Sequence, residues 1–385
     1  MPPETDGQRG RRLRVLCLLS SLIAGGAERQ MLLLLRHIDR ARFEPALGVL
    51  SGEGQLASEV PDDVPVISLG KTSRWDAPRL VIRLARLLRS SRPDVVLSKL
   101  DYTNCIAAAA DAVARTRVPL VLGEETVQSD ALEEMSHPAV RRWLLRRAYG
   151  RAAHVTAPSA GVVDELRSTF GIRGPHFAVI PNMVDLEAIA RAAREPVSYP
   201  FEGSPLPLVV AVGRLAPGKG LADLLQARAL SRDGVQWNLL VVGEGGDEDR
   251  LRRLAADLSV ADHVAFTGFA ANPFALIAQA DVFVSPSHSE SFGNVIIEAM
   301  AVGTPVVSTR LPHGPVTIVE DGRTGLFCNP RDPEDLAAKV RILLRDPDYA
   351  RELARHARVD VARFDVSTVV PQYEELVYRA VGATR

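Results

Sequence analysis

The sequence predicts an α/β protein built from two doubly wound domains. Three observations predict it. Short apolar runs alternate with longer amphipathic patterns along most of the 385 residues. The rhythm breaks once near Pro181, at a stretch holding Pro196, Pro200, Pro205 and Pro207, and then restarts. After Leu344 only helical patterns remain. Continuous apolar strands separated by amphipathic helices mean a parallel sheet covered on both faces. A chain of this length exceeds one hydrophobic core.

In the first half the strand candidates are Leu13–Leu19, Glu44–Leu50, Asp94–Ser98, Leu120–Leu122, His154–Ala157 and Phe177–Ile180. Helical spacing is clear at Leu80–Leu88 and Val162–Phe170. Arginines before VLCLLSSLIAGGA imitate a signal peptide, but the helix pattern continues through Gln30, Leu33, Leu34 and Ile38, so a buried first strand and a glycine turn are the favoured reading. In the second half the strands are Leu208–Val212, Trp237–Val242, Val264–Phe266, Val282–Ser285, Pro305–Ser308 and Gly325–Cys328. The helices are Leu221–Leu230, Asp249–Leu258, Pro273–Ala280, Asn294–Val302 and Pro333–Leu344, followed by Tyr349–Arg358 and Val366–Arg379. The resulting division is a first domain over 1–183 with a disordered start at 1–10, a linker over 184–207, a second domain over 208–364, and a last helix within 365–385.

Composition narrows the function. A formal net charge of −1 supplies no overall field toward nucleic acid. Arg141, Arg142, Arg146 and Arg147 crowd one helix; a solvated face is the favoured reading, with membrane-surface binding beside it. No apolar run reaches the ~20 residues that span a bilayer. Cys17, Cys105 and Cys328 lie far apart in apolar runs, which predicts reduced core thiols in a cytoplasmic protein and no structural zinc.

The chemistry concentrates in loops at predicted strand ends, where ligands of such sheets bind. The stretch Ser285–Ser308 carries Glu290 and Glu298 around a Ser291-Phe292-Gly293-Asn294 turn that opens a helix. A helix start favours an anion such as a phosphate. Glu298 suits hydroxyls rather than phosphate, so a nucleotide carrying a sugar is the implied ligand. The run from Val212 to Gly220 sets Arg214 and Lys219 on one loop, both able to reach a diphosphate. It is not a P-loop, because Gly220 stands where a Ser or Thr would hold magnesium. Val242-Gly243-Glu244-Gly245-Gly246 is half a dinucleotide fingerprint or a tight turn. Thr267-Gly268-Phe269 is a plain loop or a nucleobase wall. Gly25 and Gly26 open the first helix, where close backbone approach again favours a phosphate.

Taken together, GGAE, PNMVD, VGRLAPGKG, VVGEG, TGF and the two-glutamate loop resemble the retaining glycosyltransferases of family 4, also called group 1, over nearly the whole chain. The resemblance implies two doubly wound Rossmann-like domains facing across a cleft, the glycosyltransferase B type, with the acceptor on the first and the nucleotide-sugar on the second. It implies that Arg214 and Lys219 neutralise the departing diphosphate, that Glu290 contacts the transferred sugar, and that Glu298 holds the ribose. Gly25, Gly26, Gly213, Gly243, Gly268, Phe269, Ser291, Phe292, Gly293, Asn294 and Val295 would complete the donor site. It further implies front-face transfer with retention. No cofactor or metal is expected, since no Asp-x-Asp pair stands beside a strand end.

Two departures fall on the acceptor side. Gly123-Glu124-Glu125-Thr126 stands where relatives carry a histidine, and Ser98-Lys99 where they have Ser-His, with Asn104 following. Lys99, Asn104, Glu124 and Glu125 are therefore the acceptor-side candidates. Thr317 after Gly314-Pro315 stands where a glutamate is frequent, beside a surface His313. The expected activity is transfer of a hexose or N-acetylhexosamine, from a UDP-sugar in preference to GDP-mannose, to a glycan or lipid-linked acceptor. The expected place is the cytoplasm or the inner membrane face. The alternatives are an inactive nucleotide-sugar-binding subunit and an epimerase of the same fold. A nicotinamide dehydrogenase fails because the first turn lacks Gly-x-Gly-x-x-Gly.

Overall fold

The computed structural model describes residues 11–23, 25–52, 54–73, 75–129, 138–174, 176–231 and 234–383. The expected disorder of 1–10 lies outside them. The chain divides into two compact units, one of residues 1–183 with 366–385 and the other of 184–365.

The first unit is a parallel sheet of strands β1 (Leu13–Leu19), β2 (Phe43–Val49), β3 (Val66–Ser68), β4 (Val95–Lys99), β5 (Leu120–Gly123), β6 (His154–Ala157) and β7 (His176–Val179). Their order is β3-β2-β1-β4-β5-β6-β7, and Val15 of β1 pairs with both Pro45 and Val95. Strand alternation sorts the side chains. Val15, Cys17 and Leu19 enter one core, Leu16 and Leu18 the other. The first core is closed by the helices Gly26–His37 and Val366–Gly382. The last helix offers Val366, Val369, Val370, Tyr373, Leu376, Val377, Ala380 and Val381 at helical spacing, all buried. Its Glu374 accepts the Asp39 amide at 2.8 Å and pairs with Arg42 at 3.1 Å. The short edge strand β3 has no counterpart among the sequence-predicted strands, because Val66 and Ser68 are exposed and only Ile67 is half-buried.

The second unit is a parallel sheet of β8 (Leu208–Val212), β9 (Asn238–Val242), β10 (Val264–Phe266), β11 (Val282–Ser285), β12 (Val306–Thr309) and β13 (Leu326–Cys328). Their order is β10-β9-β8-β11-β12-β13, with Val210 of β8 paired to Phe283 of β11. Val209 and Ala211 face one core, Leu208 and Val210 the other. The expected linker is corrected in part. A helix, Leu186–Ala192, starts where the Asp185 carboxylate accepts the Ala188 amide, and Ile189 is buried in the second unit's core. Proline signals placed a break, but the break is confined to the residues after that helix.

Both sheets reverse strand order once, between β1 and β4 and between β8 and β11. The crevice outside the carboxyl ends at such a reversal is where doubly wound sheets bind ligands.

The last helix should behave as part of the first unit's core. Val377→Ala is expected to cost about 2 kcal/mol in urea unfolding, by loss of buried methyl groups. Glu375→Ala, which removes only an exposed pair with Arg379, should change it by less than about 0.5 kcal/mol.

Candidate functional site

In the second unit the loops leaving β8 and β11 are locked together. Gly220 adopts a left-handed φ of 65°, and a Cβ there would lie 1.9 Å from the Pro286 carbonyl oxygen. The His288 amide donates to the Gly218 carbonyl at 2.9 Å. The His288 ring meets Asp223 at 2.7 Å, tying the second loop to the helix Leu221–Leu230 that the first loop opens. Thr309 donates to the Ser287 carbonyl at 2.5 Å.

This packing sets two predicted residues against each other. The Lys219 ammonium donates to Glu290 Oε2 at 2.7 Å, and Ser287 Oγ stands 3.5 Å from the same oxygen. Arg214, on the same loop as Lys219, is exposed and has no ion pair among the described residues. Phe292 is buried edge-on against Phe364, while Gly293, with φ 112°, starts the helix Asn294–Val302. Gly314 presses on the Phe292 backbone, where a Cβ would fall 2.0 Å from its carbonyl oxygen. Ser291 precedes that helix start, and Asn294, Val295 and the half-buried Glu298 lie in the helix itself. The structure thus joins Lys219 to Glu290, with Arg214 on the loop of the one and Glu298 in the helix that follows the loop of the other.

The glycines after β9 permit close backbone contacts. A Cβ on Gly243 would meet the Gly213 carbonyl oxygen at 2.0 Å, and one on Gly245 that of Leu215 at 2.1 Å. They let the Arg214 loop lie flat on its neighbour, with Leu215 N bonded to the Glu244 carbonyl at 2.8 Å. Gly268 bonds to the Gly243 amide at 2.8 Å, and Glu244 accepts the Phe269 amide at 3.2 Å, leaving the Phe269 ring exposed.

In the first unit the equivalent strand ends carry a buried charge cluster. Lys99, at the end of β4, is 3 % exposed and pairs with Glu125 at 2.6 Å. It also donates to the Tyr373 hydroxyl from the last helix. Burial works against its charge, yet Glu125 and Tyr373 raise the ammonium above its ordinary value. At the helix start of Gly25 and Gly26 a side chain of the same motif lies close to the backbone. Glu28 folds back so that its carboxylate would lie 2.3 Å from a Cβ on Gly25. It takes hydrogen bonds from its own amide and from Ser20, while burial raises its carboxyl. Glu28, the last residue of the GGAE motif, thus covers the start of its own helix.

Asn104 and Glu124 are fully buried. Asn104 donates to the Gly123 carbonyl at 2.8 Å and to Tyr149 at 3.2 Å, and Tyr149 donates to Glu124 at 2.5 Å. The Thr126 amide donates to the other Glu124 oxygen at 3.0 Å. Burial, with Asp101 adding to it, pushes the Glu124 carboxyl up to about 7 against the bonds from Tyr149 and Thr126. The pair therefore braces the end of β5. Tyr149 and Tyr373, far off in sequence, carried no signal for their partners. The three thiols are raised to about 12 by burial, Cys17 and Cys328 lying in the core and Cys105 half-buried beside it. Among the described residues no group of three metal-binding side chains occurs.

Comparison with known proteins defines the class. Residues 201–360 match the family of glycosyl transferases group 1, and residues 24–188 match Glycosyltransferase Family 4. The glycogen synthase of Mycobacterium tuberculosis is 36% identical over 294 residues, 73% of this chain and 67% of that one. The N-acetylgalactosamine-N,N'-diacetylbacillosaminyl-diphospho-undecaprenol 4-alpha-N-acetylgalactosaminyltransferase of Campylobacter jejuni is 26% identical over 353 residues, 90% of this chain and 94% of that one. The fold resembles that of HepE from Anabaena, solved with UDP-glucose, at a TM-score of 0.81 and 24% identity over 95% of this chain and 100% of that one. The fold is that of the two-domain, Rossmann-like glycosyltransferases. The chain belongs to the group 1 glycosyltransferases, and its class of activity is glycosyl transfer in glycan synthesis.

Two outcomes test this geometry. Gly220→Ala should lose at least about 2 kcal/mol of stability, from the left-handed backbone and the clash with Pro286. Gly218→Ala, with nothing within 4 Å of its Cβ, should stay within about 0.5 kcal/mol by the same thermal denaturation. Glu124 sets a pH dependence. Its carboxyl is raised from 4.5 to about 7 in the fold, so its stability contribution is intact at low pH and is lost as pH rises through that interval. Glu124→Gln should flatten the decline of Tm between about pH 5 and pH 8; an unchanged slope would remove Glu124 from the account.

Proposed function

We propose that this chain transfers a hexose or N-acetylhexosamine from a UDP-sugar to a glycan or lipid-linked acceptor, with retention at the anomeric carbon. The observation that carries the reading is the contact of Lys219 with Glu290 where the β8 and β11 loops meet at the strand-order reversal. A diphosphate and the sugar it carries need a cation and a hydroxyl acceptor side by side in one site.

In this reading Lys219 turns from Glu290 to the diphosphate, and Arg214 adds its planar fork. The start of the helix Asn294–Val302 faces the same phosphate. As the anomeric C–O bond breaks, negative charge grows on the departing phosphate oxygen, and these groups stabilise it. Glu290 then accepts from the sugar hydroxyls and Glu298 from the ribose. The acceptor hydroxyl forms the new C–O bond on the face the phosphate leaves, and its proton passes to the phosphate oxygen. Two cations on one loop meet the leaving-group charge without a divalent ion. On the acceptor side, Lys99 and Glu125 stand in for the histidine of relatives.

The preference for UDP is supported by HepE, a protein of this fold solved with UDP-glucose. A lipid-linked acceptor is supported by the Campylobacter relative, whose name specifies a diphospho-undecaprenol substrate.

Nucleotide release from a panel of UDP- and GDP-sugars should show turnover with a UDP-sugar. Lys219→Ala should lower kcat/KM on the order of 100-fold, with partial recovery in Lys219→Arg. Turnover at the full rate in Lys219→Ala would remove the leaving-group role. An inverted anomeric configuration in the product, read by NMR, would remove the front-face step.

A further inference from the structure

The helix Pro138–Tyr149 in the first unit has two apolar sides. Leu145, Ala148 and Tyr149 face inward and are buried in the unit's core. Val140, Trp143 and Leu144 point the other way and are 58%, 57% and 43% exposed. With Arg147 they occupy positions i, i+3, i+4 and i+7, one continuous stripe. The Arg147 guanidinium lies 5.4 Å from the Trp143 ring centroid, so the cation is held within the stripe. Single exposed apolar residues are ordinary, but three in a row on one helix face are not required by the fold.

The charge on this helix is one-sided. Its sequence, PAVRRWLLRRAY, holds four arginines and no acidic residue. Arg141 is neutralised by Asp101 at 2.6 Å. Arg142 packs over Phe170, and Arg146 donates to the Phe170 carbonyl. Arg142, Arg146 and Arg147 have no carboxylate partner among the described residues. Three net positive charges therefore stand in and around an exposed Trp–Leu–Val stripe.

We propose that this helix is the surface by which the protein docks, lying flat, on a bilayer bearing anionic headgroups. Apolar side chains enter the headgroup boundary while arginines stay among the phosphates, and tryptophan favours that depth. A nucleic acid would use the arginines and leave the apolar stripe without a purpose. A second copy meeting the same face would set like charges against each other. Each arginine near an anionic surface contributes about five-fold in affinity, and the stripe is short, so the attachment is reversible and weakened by salt. The inference deepens the reading of a lipid-linked acceptor but depends on neither donor nor turnover.

The test uses the full chain carrying Trp75→Phe, since Trp75 is exposed and Trp237 is buried, which leaves Trp143 as the responsive fluorophore. Flotation with vesicles of phosphatidylcholine and phosphatidylglycerol should carry the protein, with a blue shift of its emission. Vesicles of phosphatidylcholine alone should carry far less. Arg146→Glu with Arg147→Glu, and separately Leu144→Ser, should each weaken anionic-vesicle binding by at least about ten-fold. Nucleotide release with a soluble acceptor should be unchanged in these variants. Three results would overturn the proposal: no binding to anionic vesicles at low salt, equal binding by the variants, or a concentration-dependent dimer that the variants abolish. Vesicle binding without any nucleotide release would instead count against the proposed reaction alone.

Discussion

The second unit depends on one close approach: the backbone of Gly220 against that of Pro286. It exists because β8 and β11 are hydrogen-bonded neighbours although two other strands lie between them in sequence. Strand order brings the two loops to one crevice, and a residue without a Cβ lets them touch. Lys219, one residue before Gly220, and Glu290, four after Pro286, meet beside that contact. The glycines at 243 and 245 repeat the device one strand further on, laying the Arg214 loop against the turn after β9. The motif residues thus divide into those that could touch a ligand and those that allow backbones to pass. Sequence alone gives both kinds the same appearance.

The first unit solves a different problem at its strand ends. Lys99, Glu125 and Tyr373 form a buried set, and Glu28 closes over Gly25. A buried ion pair is a weak source of stability but a strong constraint on position, because removing one partner leaves the other charged and dry. Tyr373 belongs to the last helix, so the chain's return to this unit helps hold the end of β4. Glu124 is braced separately by Tyr149, Asn104 and the Thr126 amide.

The alternation of apolar runs was enough to place strands such as Leu13–Leu19 and Leu208–Val212, since both are largely buried on both faces and read as apolar runs, Arg14 alone interrupting the first. The edge strand Val66–Ser68 escaped because an exposed edge carries little hydrophobic signal. The helix Leu186–Ala192 was hidden by the prolines that follow it, although Asp185 is an ordinary N-cap. At the candidate site the spacing of Arg214, Lys219, Glu290 and Glu298 was legible through motif. Their contacts were not, because these depend on strand order. The buried partners Tyr149 and Tyr373 sit on helices whose sequence marks them only as core positions.

In the proposed reaction the crevice at the β8–β11 reversal holds the donor diphosphate. Amide hydrogen exchange with and without saturating UDP tests it most directly. Protection is expected to concentrate in residues 213–220 and 286–298. Bound UDP that leaves those amides unprotected while protecting others would contradict it.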